Sequence, residues 1–205
     1  ARLSRLGMRP ISNVVDATNL TMLEWGHPVH AFDAQRLQGD TLQVRCARAG
    51  ETLVLLDGQT LNLEGDDVVI ADTQRPVALA GVMGGEDAEA RAESEALLLE
   101  IAHFDRSRVR RSAKRHGLHT EASHRFERGM GAGHLPQVAS TLLGWLEQLG
   151  AIEGISGVRD TGPPVPLSPV PFRPARYARL MGHSVAADEA TRHLEALACQ
   201  VEAGD

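Results

Sequence analysis

The stretch Pro76-Val77-Ala78-Leu79-Ala80-Gly81-Val82-Met83-Gly84-Gly85 decides how this chain is read. It is apolar, almost wholly built of small side chains, and closes on two adjacent glycines. Small side chains and glycine let a second backbone or a ligand come close. The plain reading is a buried strand ending in a turn. Its surroundings give it a second reading. A polar, His-containing loop lies upstream, from His27 to Asp33. The apolar run Leu97-Leu98-Leu99 downstream ends on the carboxylate of Glu100, and an Arg-rich segment follows from Arg106 to Arg128. These stretches are expected to converge on one pocket beside a basic face.

Composition bounds the rest. The length of 205 residues allows one or two domains. A net charge of −6 excludes a chain that binds nucleic acid through its overall charge, so any such contact must come from a local patch. Cys46 and Cys199 match neither a disulfide framework nor a zinc spacing, which fits a reducing compartment. No apolar run reaches the roughly 18 residues of a membrane span, and the N-terminus does not read as a signal peptide. The abrupt start and stop lead us to expect a piece excised from something longer.

Outward from the central stretch, Ile11, Val14, Val15, Thr18, Met22 and Leu23 recur at helical spacing, with Pro10 in the first turn and Gly26 and Pro28 at the end. Pro28 to Asp33 reads as a loop, and Asp33 can cap a short turn ending near Leu37. Strands are expected over 41–47, 67–71 and 96–102, with a hairpin turning at Asp57-Gly58. Asp105 can cap a helix over 106–116 that Gly117 ends. That helix carries Arg106, Arg108, Arg110, Arg111, Lys114 and Arg115 with almost nothing apolar, so it is expected to stay unburied. A run of charges is usually a solvated face. Here nearly all have one sign in an acidic protein, which points to phosphate contacts. Leu135 to Leu149 follows core-facing helical spacing. Gly154 to Pro174 reads as a linker, then two short helices (174–180 and 187–198) and a strand at Cys199–Glu202.

The chemical motifs are few. His27 and His30 are three apart, as are His116 and His119, but neither pair sits in a zinc-binding pattern. No nucleophile elbow and no phosphate loop is present. Composition and spacing alone yield a mixed α and β domain with a basic edge.

Longer strings say more. They are Arg9-Pro10-Ile11-x-Asn13-Val14-Val15-Asp16-x-Thr18-Asn19, Gly26-x-Pro28-x-His30-Ala31-Phe32-Asp33, Leu79-Ala80-Gly81-Val82-Met83-Gly84-Gly85, Glu100-x-Ala102-x-Phe104-Asp105 and Arg115-His116-Gly117-Leu118-x-Thr120-Glu121-Ala122-Ser123-His124-Arg125-Phe126-Glu127-Arg128-Gly129. In this order and at these separations they resemble the central editing domain (B3/B4) of the bacterial phenylalanyl-tRNA synthetase β subunit. The resemblance runs from about Arg9 to Gly150, and 172–202 resembles the start of the small domain that follows there. It implies an α+β fold, a layered β-sheet core with surrounding helices, plus a truncated small α/β segment. The expected division is 1–165 for the editing domain and 166–205 for a linker and an incomplete second domain.

The resemblance also implies a function: hydrolysis of the ester of tRNA(Phe) mischarged with tyrosine. A synthetic pocket built for Phe rejects an analogue with one extra hydroxyl by only about 100-fold, whereas a site that hydrogen-bonds the hydroxyl can discriminate by roughly 10⁴ or more. Glu100 matches the family's specificity glutamate, with a salt bridge to a nearby Arg as the alternative. His30 matches its pocket histidine, either binding the ester or ordering water, or else simply hydrogen-bonded in its loop. Arg9, Thr18, Asn19, Gly81, Thr120 and Ala122 match its substrate-binding positions, Gly81 and Ala122 by leaving room. For Thr18 and Asn19, bonding back to the helix backbone is the competing expectation. Arg106, Arg110, Arg111, Lys114 and Arg115 are the expected RNA contacts. The expected attack is by an ordered water, helped by the ribose hydroxyl and by backbone N–H groups of 81–85, without a covalent intermediate. No cofactor or metal is expected in this chain; ATP and Mg²⁺ belong to the partner α subunit. The implied partners are tRNA(Phe) and that α subunit, in a heterotetramer, with no membrane and no DNA. The implied location is the cytoplasm. A non-catalytic RNA-binding or scaffold module is the alternative, and a sugar- or nucleotide-metabolising enzyme a weaker third.

Overall fold

The computed structural model describes residues 2–162 and 168–202. The chain divides into two compact units, Ala1–Val165 and Pro166–Asp205. The first unit opens with a single helical turn, α1 (Arg2–Arg5), and then α2 (Asn13–Trp25). Pro10 lies before α2 rather than in its first turn. Ser12 is the cap: its hydroxyl accepts from Val15 N, leaving Ile11 71% exposed ahead of the helix. Gly26 ends the helix at φ 67°, a left-handed conformation that costs glycine little.

The segment expected as a loop at Pro28–Asp33 contains a strand, β1 (His30–Asp33). Nothing local signals it, because its ladder partner, Leu97–Glu100, is far away in the sequence. The expected turn after it forms over Ala34–Arg36, with the Asp33 carboxylate accepting from Gln35 N. Next come β2 (Gln43–Cys46), the hairpin β3 (Thr52–Val54) and β4 (Thr60–Asn62), β5 (Val68–Ala71), β6 (Pro76–Leu79), β7 (Met83–Gly84) and β8 (Leu97–Glu100). Four strands form an antiparallel sheet in the order β2-β5-β6-β7. The central small-residue stretch is its interior. Every residue of β6 is buried, Pro76 sits at the first strand position, where no ladder donor is lost inside the strand, and Gly81 turns the chain at φ 69° into β7. In β2 the expected alternation does not bury its apolar face, since Val44 is 62% exposed.

Helix α3 (Arg106–Arg115) starts where Asp105 accepts from Arg108 N. The expectation that it stays unburied is corrected: Val109, Ser112 and Ala113 form a narrow buried face, enough to seat a helix whose remaining residues are charged. A further short helix, α4 (Glu121–Phe126), is fixed by a reciprocal cap between Thr120 and Ser123. Helix α5 (Leu135–Gln148) buries Val138, Leu142 and Leu146.

These elements make two clusters. The larger joins the four-stranded sheet and the hairpin to Phe104, Val109 and Phe126. The smaller joins Ala17 of α2 to Leu142 and Leu146 of α5. The two-stranded ladder β1–β8 touches both: Phe32 is wholly buried in the first, while Leu99 packs on the second. In the second unit, α6 (Pro174–Met181) and α7 (Ala187–Ala196) form. The strand expected at Cys199–Glu202 does not, and part of the expected linker, 163–167, lies outside the described residues.

Candidate active site

In the β1–β8 ladder His30 lies directly opposite Glu100, and Phe32 opposite Leu98. Side chains alternate across a strand, so these four residues share one face. The His30 ring packs edge-on to Phe32, 4.5 Å between centroids, and occupies the space where a side chain at 84 would stand. A Cβ on Gly84 would lie 2.5 Å from His30 Cε1 and 2.6 Å from Nε2. The closing glycine is thus the seat of the histidine. His30 Nε2 is buried with no hydrogen-bond partner, and burial pushes the ring down to about 4, so it is neutral at pH 7.

Glu100 accepts no hydrogen bond and forms no ion pair among the described residues; the expected alternative, a salt bridge to Arg, is not formed. Burial alone raises its carboxyl to about 7. Nor do the two side chains bond to each other. A neutral imidazole with a buried, unpartnered nitrogen and a half-buried carboxyl poised between its two protonation states therefore share a face, neither side chain bonded to another. Buried polar groups are ordinarily satisfied, and perturbed carboxyls gather where a ligand or a reaction uses them.

The other expected site residues are placed differently. Thr18 donates to Val15 O at 2.8 Å, the local back-bond that competes with ligand binding. Asn19 is half-buried on α2, which lies against β1. Arg9 is exposed. The space beside Gly81 is not open: a Cβ there would meet Val109 at 2.9 Å and Phe104 at 3.0 Å. Gly81 thus makes room for core side chains, not for a substrate as expected. Thr120 donates to Val82 O at 2.7 Å while accepting from Ser123 N, which ties α4 to the Gly81 turn. Ala122 is half-buried and packs on the larger cluster. The backbone donors expected around 81–85 are partly consumed: Val82 N bonds to Leu79 O at 3.0 Å and Gly85 N to Val77 O at 2.8 Å.

The basic segment is less free than its composition implies. Arg115 reaches Glu64, Asp66 and Asp67 at once, and Arg111 lies 3.8 Å from Asp66. Arg125 pairs with Glu121, and Arg128 with Glu127. The acids come from the turn before β5, from the first residue of α4 and from Glu127 just after it, not from α3 itself, so the helix sequence hides them. Arg106, Arg110 and Lys114 form no ion pair among the described residues.

Sequence reasoning missed Asp67. It is wholly buried and accepts from Glu64 N at 2.9 Å, from His116 Nε2 at 2.8 Å and from Arg115. Burial would raise its carboxyl; the bonds from Glu64, His116 and Ser112 outweigh that and hold it below the usual range. His27 is a core histidine, 2% exposed, bonded through Nε2 to Ala102 O at 3.0 Å and edge-on to Phe126. Two surface concavities, about 370 Å³ beside Leu20, Leu23 and Trp145 and about 160 Å³ beside Val44 and Phe104, are lined by neither His30 nor Glu100. Neither is lined by a side chain with a buried, unpartnered polar atom, so the ladder face remains the candidate.

Comparison with known proteins identifies the family. Residues 1–151 match the family model of the B3/4 domain. Phenylalanine–tRNA ligase beta subunits align over nearly the whole chain. That of Geobacter metallireducens is 46% identical over 92% of this chain and 24% of its own length, and that of Anaeromyxobacter dehalogenans is 45% identical over 100% and 26%. The chain thus spans about a quarter of the length of these relatives. No helix among the described residues is long and apolar enough to cross a membrane. This chain belongs to the B3/4 domain family, in the form carried by beta subunits of phenylalanine–tRNA ligase.

Proposed function

We propose that this domain hydrolyses the ester of Tyr-tRNA(Phe) and reads tyrosine by its hydroxyl. The observation that carries this reading is Glu100, a carboxyl on the ladder face with no partner of its own. A phenol hydroxyl can donate to it, or accept from it when it is protonated. Phenylalanine supplies neither contact and leaves the carboxyl desolvated and unpaired, which is the stronger form of discrimination.

The reaction asks little of the side chains. Water attacks the ester carbonyl carbon, the bond to the ribose oxygen breaks, and that oxygen takes a proton, releasing tyrosine and free tRNA. His30, with a pKa pushed to about 4, is too weak a base to deprotonate water efficiently at pH 7. Its free Nε2 instead orders the water or the ester, and the neighbouring ribose hydroxyl assists. Arg106, Arg110 and Lys114 are the cations left to meet the tRNA backbone; Arg111 and Arg115 already hold carboxylates. The tRNA(Phe) substrate, the α subunit as partner, with ATP and Mg²⁺ bound there, and a cytoplasmic setting all belong to this proposal. A binding-only module is less favoured, because much of the basic segment is internally neutralised.

The test is tyrosine release from Tyr-tRNA(Phe), against Phe-tRNA(Phe), by the full-length synthetase carrying this domain. The expected result is rapid release of tyrosine only, reduced about 100-fold by Glu100→Ala while tRNA affinity holds. Release unaffected by Glu100→Ala and His30→Ala would overturn the assignment, as would no release above background.

A further inference from the structure

The hairpin β3–β4 belongs to none of the strings that carry the family resemblance, yet it reaches the ladder face. Leu56, beside its turn, donates its N–H to Gly84 O at 3.2 Å, and Leu55 bridges to Gly85. The side chain follows the backbone: Leu56 Cδ1 lies 3.3 Å from the point where a Cβ on Gly84 would stand, the same point that His30 Nε2 approaches to 2.6 Å. Leu56 Cδ1 and the orphan His30 nitrogen are therefore within about 6 Å of each other. Leu56 is nonetheless 39% exposed, whereas its neighbour Leu55 is wholly buried. The hairpin thus has one leucine anchored in the core and one held at the open side of the candidate site. Leu98, on the face of Glu100, is 36% exposed as well.

We infer that Leu56 is a substrate-binding residue of this site, forming the apolar wall against which the aromatic ring of the esterified amino acid packs while Glu100 meets its hydroxyl. The inference rests on the editing reading above and extends it to a residue outside the ladder. A phenol needs two surfaces, an apolar one for the ring and a polar one for its tip. Leu56 supplies the first next to the His30–Glu100 pair, which supplies the second. Its exposed area is available to a ligand, and the Leu56–Gly84 backbone bond fixes where it stands.

The experiment measures kcat and KM for tyrosine release from Tyr-tRNA(Phe) by the full-length synthetase with Leu56→Ala, Leu56→Met and the unaltered enzyme. The expected result is a rise of about tenfold in KM for Leu56→Ala with kcat little changed, and recovery to within about twofold in Leu56→Met, which restores the volume. Thermal unfolding checks that Leu56→Ala folds; exposure of the side chain predicts a small shift. An unaltered enzyme that releases tyrosine and a Leu56→Ala variant that matches it in KM would overturn the role of Leu56 alone. An unaltered enzyme without release would overturn the editing reading itself. If Leu56→Ala failed to fold, an unchanged KM in Leu56→Phe, which overfills the same space, would overturn the proposal.

Discussion

Two regions of this domain bury ionisable groups in opposite ways. Beneath α3, Asp67 is surrounded by donors: a backbone N–H, an imidazole and a guanidinium. On the β1–β8 face, Glu100 and His30 have none, and their titration follows from burial alone. The first arrangement fastens α3 to the turn before β5. The second holds the charged forms of both groups at a disadvantage and fastens nothing. Satisfied burial identifies a structural device, and an unpartnered polar group in a desolvated setting, the buried His30 Nε2 above all, identifies a place where the fold has given up stability.

That contrast can be broken first at Asp67. Asp67→Ala strands His116 and the Glu64 N–H beside a buried turn, while Arg115 keeps Glu64 and Asp66, and the expected loss is about 2–3 kcal/mol, read as a lowered urea midpoint. A loss below about 1 kcal/mol would mean that the cluster is replaceable by water. Glu100→Gln should act in the other direction. The Glu100 carboxyl is raised from 4.5 to about 7 in the folded protein, so the folded state binds its proton more tightly than the unfolded chain does. Its penalty is absent below about pH 4.5, grows as the pH rises through 7, and is constant above. Glu100→Gln is therefore expected to stabilise the domain at pH 8 by on the order of 2 kcal/mol and to change little at about pH 4, while weakening the tyrosine discrimination proposed above. Equal effects at both pH values would show that Glu100 has a partner in solution. The smallest effect on stability is expected from replacing Arg106, Arg110 and Lys114 by Gln together, within about 0.5 kcal/mol. The readout that tests the proposed RNA contact is the salt dependence of tRNA binding, whose slope is expected to fall by about one for each phosphate that these cations no longer neutralise.

The same contrast explains what could be read from the sequence. Helices α2, α3 and α5 and the Asp57-Gly58 hairpin were legible because their signals are local: periodicity, a capping Asp105, a turn dipeptide. Strand β1 was not, because four residues without alternation become a strand only when β8 arrives. Glu100 and His30 were legible as site candidates through the motif strings, whereas their direct opposition is a property of register. Gly81 and Gly84 looked alike in the sequence and differ in space, one abutting the core aromatics and the other the His30 ring. The basic run over-promised because its neutralising acids, Glu64, Asp66 and Asp67, sit far upstream in the chain.

Gly84 and Gly85 also set how this site can change over generations. A Cβ at 84 would meet the His30 ring, and one at 85 would lie 2.7 Å from Val77 O. Every amino acid reachable from a glycine codon by a single base change carries at least that carbon. The two positions therefore have no mild neighbours among one-step variants. A lineage that retains the His30 seat must retain Gly84, and one that retains the close approach to Val77 must retain Gly85, whereas one that abandons either needs only a single substitution to do so.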